Sequence, residues 1–99
     1  MYARLSTYQG EPIEAEIDLA AGSELPIKQV RELPGFRGVY FLADRASGKT
    51  LTLTLWEDEA AMRASEQDAT KIRKQSAERE RTTILSVERF EVGFSRLES

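Results

Sequence analysis

Any chemistry in this chain has to be done without the commonest catalytic side chains. Its 99 residues include no histidine, no cysteine and no asparagine. Arrangements built on a histidine base are excluded, as are histidine-ligated metal and haem sites, disulfides and thiol chemistry. What remains is carboxylates, guanidiniums, hydroxyls and a single indole. The carboxylates fall mostly on helical faces beside Lys and Arg, which is the pattern of solvated surface, although a carboxylate-only metal site stays open. The indole is more distinctive. Trp56 ends the alternating stretch KTLTLTLW and is followed by the acidic Glu57, Asp58 and Glu59. A strand with that alternation sends its leucines to one face and its threonines with Trp56 to the other.

The elements that would position these residues can be read along the chain. Residues 2–9, YARLSTYQ, have strand character and stop at Gly10. Pro12 sits where a helix can start, and Ile13, Ile17, Ala20, Ile27 and Val30 recur in helical phase. Gly22 and Pro26 interrupt that phase, so a kinked helix or two short ones, roughly 11–21 and 24–32, are expected. The segments GVYFLADR and KTLTLTLW read as a hairpin closed by Ala46, Ser47 and Gly48, with Gly48 left-handed. That loop pairs Arg45 with Lys49, so Val39, Phe41 and Ala43 meet Leu55, Leu53 and Leu51, while Gly38, Tyr40 and Leu42 meet Trp56, Thr54 and Thr52. Asp58 is a helix N-cap, and Met62, Ser65, Ala69 and Ile72 form one narrow stripe on the helix that follows. Residues 76–81 form a polar exit, 83–93 a last strand with a bulge near Glu88, and 94–99 a loose tail. The order β-α-β-β-α-β is the ferredoxin-like α+β arrangement, an antiparallel sheet with both helices on one face, in a single domain spanning 1–99.

Composition narrows the partners. The chain is 40% hydrophobic and 31% charged with a net charge of -3, a globular balance with no basic stripe for nucleic acid. No segment has the apolar length of a membrane span, and MYARLSTYQGEP lacks the apolar run of a signal peptide. Together with the absence of cysteine this sets the expectation of a cytoplasmic protein. Helices cover only one face of such a sheet, whereas the hairpin is apolar on both. The uncovered face predicts a homodimer packed through the sheet. Two orientations are open. The all-apolar side can pack on the helices, or the threonines with Tyr40 and Trp56 can line a gap beneath them, where the small residues around Met62 leave space. Trp56 can equally plug a small core, Met62 and Tyr40 can be plain packing, and Arg4 can be a rim ion pair. The run KIRKQSAERERTT reads as a solvated helix end.

LPGFRGVYFLADRASGKTLTLTLWEDEAAMRAS, with VERFEVG near the end, resembles the antibiotic biosynthesis monooxygenase family of dimeric α/β-barrel proteins, over nearly the whole chain to about Gly93. The resemblance implies two sheets forming a barrel between subunits and a pocket between sheet and helices in each. It implies oxidation of an aromatic or enolisable small molecule with O₂ and no metal or organic cofactor, with Trp56 lining the pocket. Arg4 would stabilise an enolate or phenolate and Tyr40 would donate a hydrogen bond, with Thr54 and Met62 beside them. The chain departs from the family in lacking the first-strand Asn of active members and the second-helix His of haem degraders. In place of the Asn it offers Arg4, Ser6 and Tyr8 on one side of the first strand. Two other readings compete: a non-catalytic small-molecule-binding or stress-related dimeric barrel, and a dimeric interaction module without a pocket.

Overall fold

The computed structural model describes residues 1–98. Four strands, β1 (Tyr2–Gln9), β2 (Phe36–Asp44), β3 (Lys49–Trp56) and β4 (Thr83–Glu91), form one antiparallel sheet in the order β2-β3-β1-β4. Helix α1 (Glu24–Val30) follows a short 3-10 turn, and α2 (Glu59–Ala64) leads into α3 (Glu66–Glu80). This is the expected ferredoxin-like α+β arrangement. No helix among the described residues is long and apolar enough to cross a membrane.

The expected helix over 11–21 does not form; only Ala21–Ser23 makes a 3-10 turn. The backbone of this segment is satisfied from outside instead. Ile13 donates its amide to the Arg45 carbonyl at 2.8 Å, and the Arg45 guanidinium donates to the Glu14 and Ile17 carbonyls at 2.6 and 2.9 Å. Ile17 is left 52% exposed, so the apolar spacing finds no surface to bury against. A helix this short has little stability without such packing.

Those same bonds shift the hairpin. With its carbonyl bound to Ile13, Arg45 leaves the ladder, and Asp44 rather than Arg45 pairs with Lys49. The Asp44 carboxylate accepts from the Ala46 amide and the Ser47 hydroxyl at 3.2 and 3.0 Å, and the Gly48 amide donates to the Asp44 carbonyl at 2.9 Å. Gly48 has φ 79°, and a Cβ there would stand 2.4 Å from the Gly10 and Glu11 carbonyl oxygens. The loop is therefore four residues long, not three, and a one-residue slip reverses the faces of β2. Tyr40 pairs with Leu53 and Leu42 with Leu51, while Val39, Phe41 and Ala43 join Thr54, Thr52 and Thr50. Beyond an irregularity between Phe36 and Gly38, Phe36 pairs with Trp56.

Of the two orientations, the threonine side of β3 faces the helices. Trp56 packs there with Val30 and Met62, flanked by Tyr2, Leu33, Phe36 and Ile72. The leucine side faces outward, where Tyr40, Leu42 and Phe90 are 43, 47 and 48% exposed. The expected bulge falls at Leu85, opposite the Thr7/Tyr8 step, rather than near Glu88. Helix α3 runs on through the expected polar exit to Glu80 and ends at Arg81, in the left-handed conformation at φ 57°. The expectation of a loose tail over 94–99 includes Ser99, which lies outside the described residues.

Candidate functional site

Asp58 caps α2 as expected, accepting the Ala61 amide at 2.8 Å. That cap turns the chain over the end of β3 and brings Met62 down onto Trp56. The indole has no exposed surface. Its Nε1 donates to the Thr54 hydroxyl at 3.0 Å, Phe36 meets it edge-on at 5.8 Å between centroids, and the Arg4 guanidinium carbon lies 5.3 Å from the ring centre. The β1–β3 register produces this cluster by pairing Tyr2 with Trp56 and Arg4 with Thr54 on the helix side.

Arg4 is buried, with 2% of its surface exposed. Its Nη2 donates to the Met62 carbonyl at 2.8 Å, the Ser65 hydroxyl at 2.9 Å and the Glu66 carboxylate at 2.6 Å. The helical stripe is interrupted at this point. The Met62 carbonyl takes Arg4 and the Ser65 hydroxyl as partners, and Ser65 separates α2 from α3. Arg89 of β4 holds the other side of Glu66, at 2.6 and 2.9 Å. Hydrogen bonds from Arg89, then from Arg4, hold the Glu66 carboxyl down at about 2. Arg4 Nε is buried without a partner.

Two turns further along α3 stands a second buried guanidinium. Arg73, 9% exposed, donates through Nε to the Ser6 hydroxyl at 3.2 Å. Burial pulls it below its usual value, partly offset by Tyr8. Tyr8 and Thr50, paired across β1 and β3, are buried on the same helix-side face.

Four of the five residues singled out from the sequence thus come together: Trp56, Thr54, Arg4 and Met62. Tyr40 does not join them. The shifted register puts it on the outer face, opposite Trp56. Arg73 was passed over inside a run that reads as a solvated helix end. The signal was in the sequence, since Met62, Ala69, Arg73 and Ala77 continue one stripe at intervals of seven and four. Among the described residues no cluster of three or more acidic side chains is placed to hold a metal ion. Two surface hollows lie away from Trp56. One of about 360 Å³ is bounded by Ala21, Leu25 and Arg79, and one of about 320 Å³ by Pro12, Ile13 and Arg45.

With this geometry in hand the chain can be set beside known proteins. No protein-family model matches it. SnoaB, a cofactor-independent oxygenase from Streptomyces nogalater, superimposes with a TM-score of 0.70 over 98% of this chain and 97% of its own, at 14% identity. A monooxygenase from the gene ActVA-Orf6 of Streptomyces coelicolor, solved with the ligand nanaomycin D, gives 0.59 over 99% and 92%, at 16% identity. The chain therefore has the fold of the antibiotic biosynthesis monooxygenases. In sequence it is 34% identical over 77 residues to the uncharacterized protein Rv2558 of Mycobacterium tuberculosis, and the match spans 78% of this chain but only 33% of that protein.

Proposed function

We propose that the chain is a cofactor-independent monooxygenase-like protein that holds an aromatic or enolisable small molecule between sheet and helices and oxidises it with O₂. The observation that carries this reading is the helix-side constellation of Trp56, Thr54 and Arg4, built on a fold shared with SnoaB and the ActVA-Orf6 monooxygenase. Such chemistry asks little of the protein. The substrate's own carbanion, in resonance with an enolate or phenolate, forms a C–O bond with O₂, and collapse of the resulting peroxide releases water and leaves a carbonyl. The protein binds the anion, favours it over the neutral form and keeps bulk water away. Trp56, Met62 and Thr54 form the apolar inner end of the site, and Arg4 contributes positive charge there. Oxygen uptake with anthrone- or quinol-type substrates is the direct test. Uptake should be present in the wild type and reduced in Trp56→Phe and Arg4→Met variants that remain folded by circular dichroism. A folded wild type without uptake on any such substrate rules the oxygenase out.

A specific observation supports a second reading, a dimeric interaction module without a pocket at Trp56. The Trp56 indole is wholly enclosed, and its one donor is already taken by Thr54. Neither oxygen uptake nor ligand binding by a folded wild type would select this reading.

Under either reading the working unit is a homodimer through the outer sheet face. Tyr40, Leu42 and Phe90 stand there beside Leu5, Leu51, Leu53 and Leu55, none of them under a helix. At roughly 25 cal/mol per Å² of apolar surface, covering several such side chains is worth several kcal/mol. Light scattering should give twice the 11.2 kDa chain mass. Leu42→Glu, which sets a carboxylate in that face, should shift the protein to the single-chain mass while leaving it folded. A wild-type monomer at tens-of-micromolar concentration contradicts the dimer.

A further inference from the structure

The other two guanidiniums at the helix–sheet interface, buried Arg4 and the exposed Arg89, have a carboxylate. Arg4 and Arg89 share Glu66, whereas no carboxylate among the described residues reaches Arg73. Arg73 is nevertheless 91% enclosed, and its one recorded hydrogen bond is the long one from Nε to Ser6. Its Nη groups make no hydrogen bond to a described residue. Among the described side chains, Arg4 Nε is the only nitrogen or oxygen both sealed from solvent and without a partner. The unbonded Arg73 Nη groups therefore still open onto solvent-reachable space.

The sheet register places a row of residues beside the Ser6 hydroxyl that holds Arg73. Phe41 pairs with Thr52 and Thr52 with Ser6, so these three form one row across the helix-side face. The row starts on edge strand β2, where Phe41 is 39% exposed, and ends under Arg73, two strand spacings or about 10 Å inward. An apolar aromatic mouth, a hydroxyl-lined floor and an unpaired planar cation at the inner end are together complementary to one kind of ligand.

We propose that Arg73 anchors a small aromatic ligand that carries one planar oxyanion, its negative oxygens on the two Nη groups and its ring extending over Thr52 toward Phe41. A guanidinium suits this because its fork matches a carboxylate or delocalised oxyanion with two parallel hydrogen bonds. A largely enclosed cation with no carboxylate beside it is a liability to the folded state, and such groups concentrate at functional sites. The assignment rests on the helix-side ligand reading given above and deepens it. It also divides the work between the two buried cations: Arg4, charge-paired with Glu66, is structural and polarising, and Arg73 receives the charge.

The test uses 2-naphthoate and its neutral counterpart 2-naphthalenemethanol, titrated calorimetrically into the full chain. The wild type should bind the naphthoate, and Arg73→Gln should weaken it by about tenfold or more while changing the alcohol by less than about twofold. Arg73→Lys, which keeps the charge without the fork, should recover part of the loss. Equal naphthoate affinity in Arg73→Gln, or no binding to the wild type up to about 10 mM, overturns the assignment. If Arg73→Gln binds neither compound, Ser6→Ala decides, because it removes the hydroxyl that aims the guanidinium. A selective loss of naphthoate then upholds the proposal, and its absence overturns it. Oxygen uptake separates this inference from the function it builds on. Naphthoate binding through Arg73 without uptake leaves the anion site standing and removes the oxygenase. Uptake with an unchanged KM in Arg73→Gln does the reverse.

Discussion

Trp56→Ala is expected to cost about 3–5 kcal/mol, the range for emptying a large aromatic site in a packed core. Small domains have about 5–15 kcal/mol in total, so this variant should be partly unfolded at ambient temperature or close to it. The size follows from what the indole touches. It is the largest fully buried side chain, and Val30, Met62, Phe36 and Tyr2 all pack against it, so its loss leaves a hole bounded by four separate elements. Val30 ends α1, Met62 lies in α2, Phe36 starts β2 and Tyr2 starts β1, so none of the four can collapse into the space without moving its element. Trp56→Phe should be far milder, because a phenyl ring still meets Phe36 and only part of the volume goes. Thr54→Val isolates the polar contribution. It strands Nε1 without an acceptor and should cost about 1–3 kcal/mol with no change in shape. Urea unfolding with an unchanged slope would measure all three. A Trp56→Ala protein within about 1 kcal/mol of wild type would show that the site is loosely packed and that the enclosure of the indole is not a stability device.

The elements that carry strong local patterns were readable in advance, and the ones that depend on distant partners were not. The strand over 2–9, the Asp58 cap and the Met62–Ser65–Ala69–Ile72 stripe each follow from short-range periodicity or from one side chain acting on its own backbone. The hairpin strands were equally legible, but their register was not. It turns on Arg45, whose carbonyl is claimed by Ile13, more than thirty residues earlier in the chain. A local turn rule cannot weigh that competition. The same long-range contact explains the missing helix over 11–21, because the segment is tied to the hairpin end instead of coiling on itself. At the site, Thr54 and Trp56 share a face by simple alternation along β3, as Arg4, Ser6 and Tyr8 do along β1, and it was the family resemblance that joined Arg4 to Trp56 without a structure. Tyr40 was misplaced for the reason the register was, by one residue. Arg73 was missed because a charged residue in a charged run is usually solvated, and only its phase along α3 says otherwise.

Glu66→Gln is the second substitution with a large expected effect, about 3 kcal/mol of destabilisation, because it leaves the buried Arg4 without its anion. Arg4 has 2% of its surface exposed and cannot turn to water, so what is lost is the compensation for its desolvation and not merely a surface ion pair. The sign of the pH dependence follows from the same carboxylate, held down first by the Arg89 hydrogen bond and then by that of Arg4. Glu66 is held at about 2 against an ordinary 4.5, so its contribution is complete above pH 4.5 and disappears as the pH falls through about 2. Wild-type stability should therefore decline across that interval, and the part of the decline due to this group should be absent in Glu66→Gln. The partner substitution gives the more searching result. Arg4→Met removes the cation and fills much of its volume, and breaking a buried pair from both sides is far less damaging than breaking it from one. In a double-mutant cycle the Arg4→Met/Glu66→Gln protein should be markedly more stable than Glu66→Gln alone, with Arg89 left as an ordinary solvated cation. If the two changes simply add, the stabilising partner of Glu66 is Arg89 at the surface and not Arg4 beneath the helix. The 2.6 Å contact between Arg4 and Glu66 would then be geometry without energetic weight.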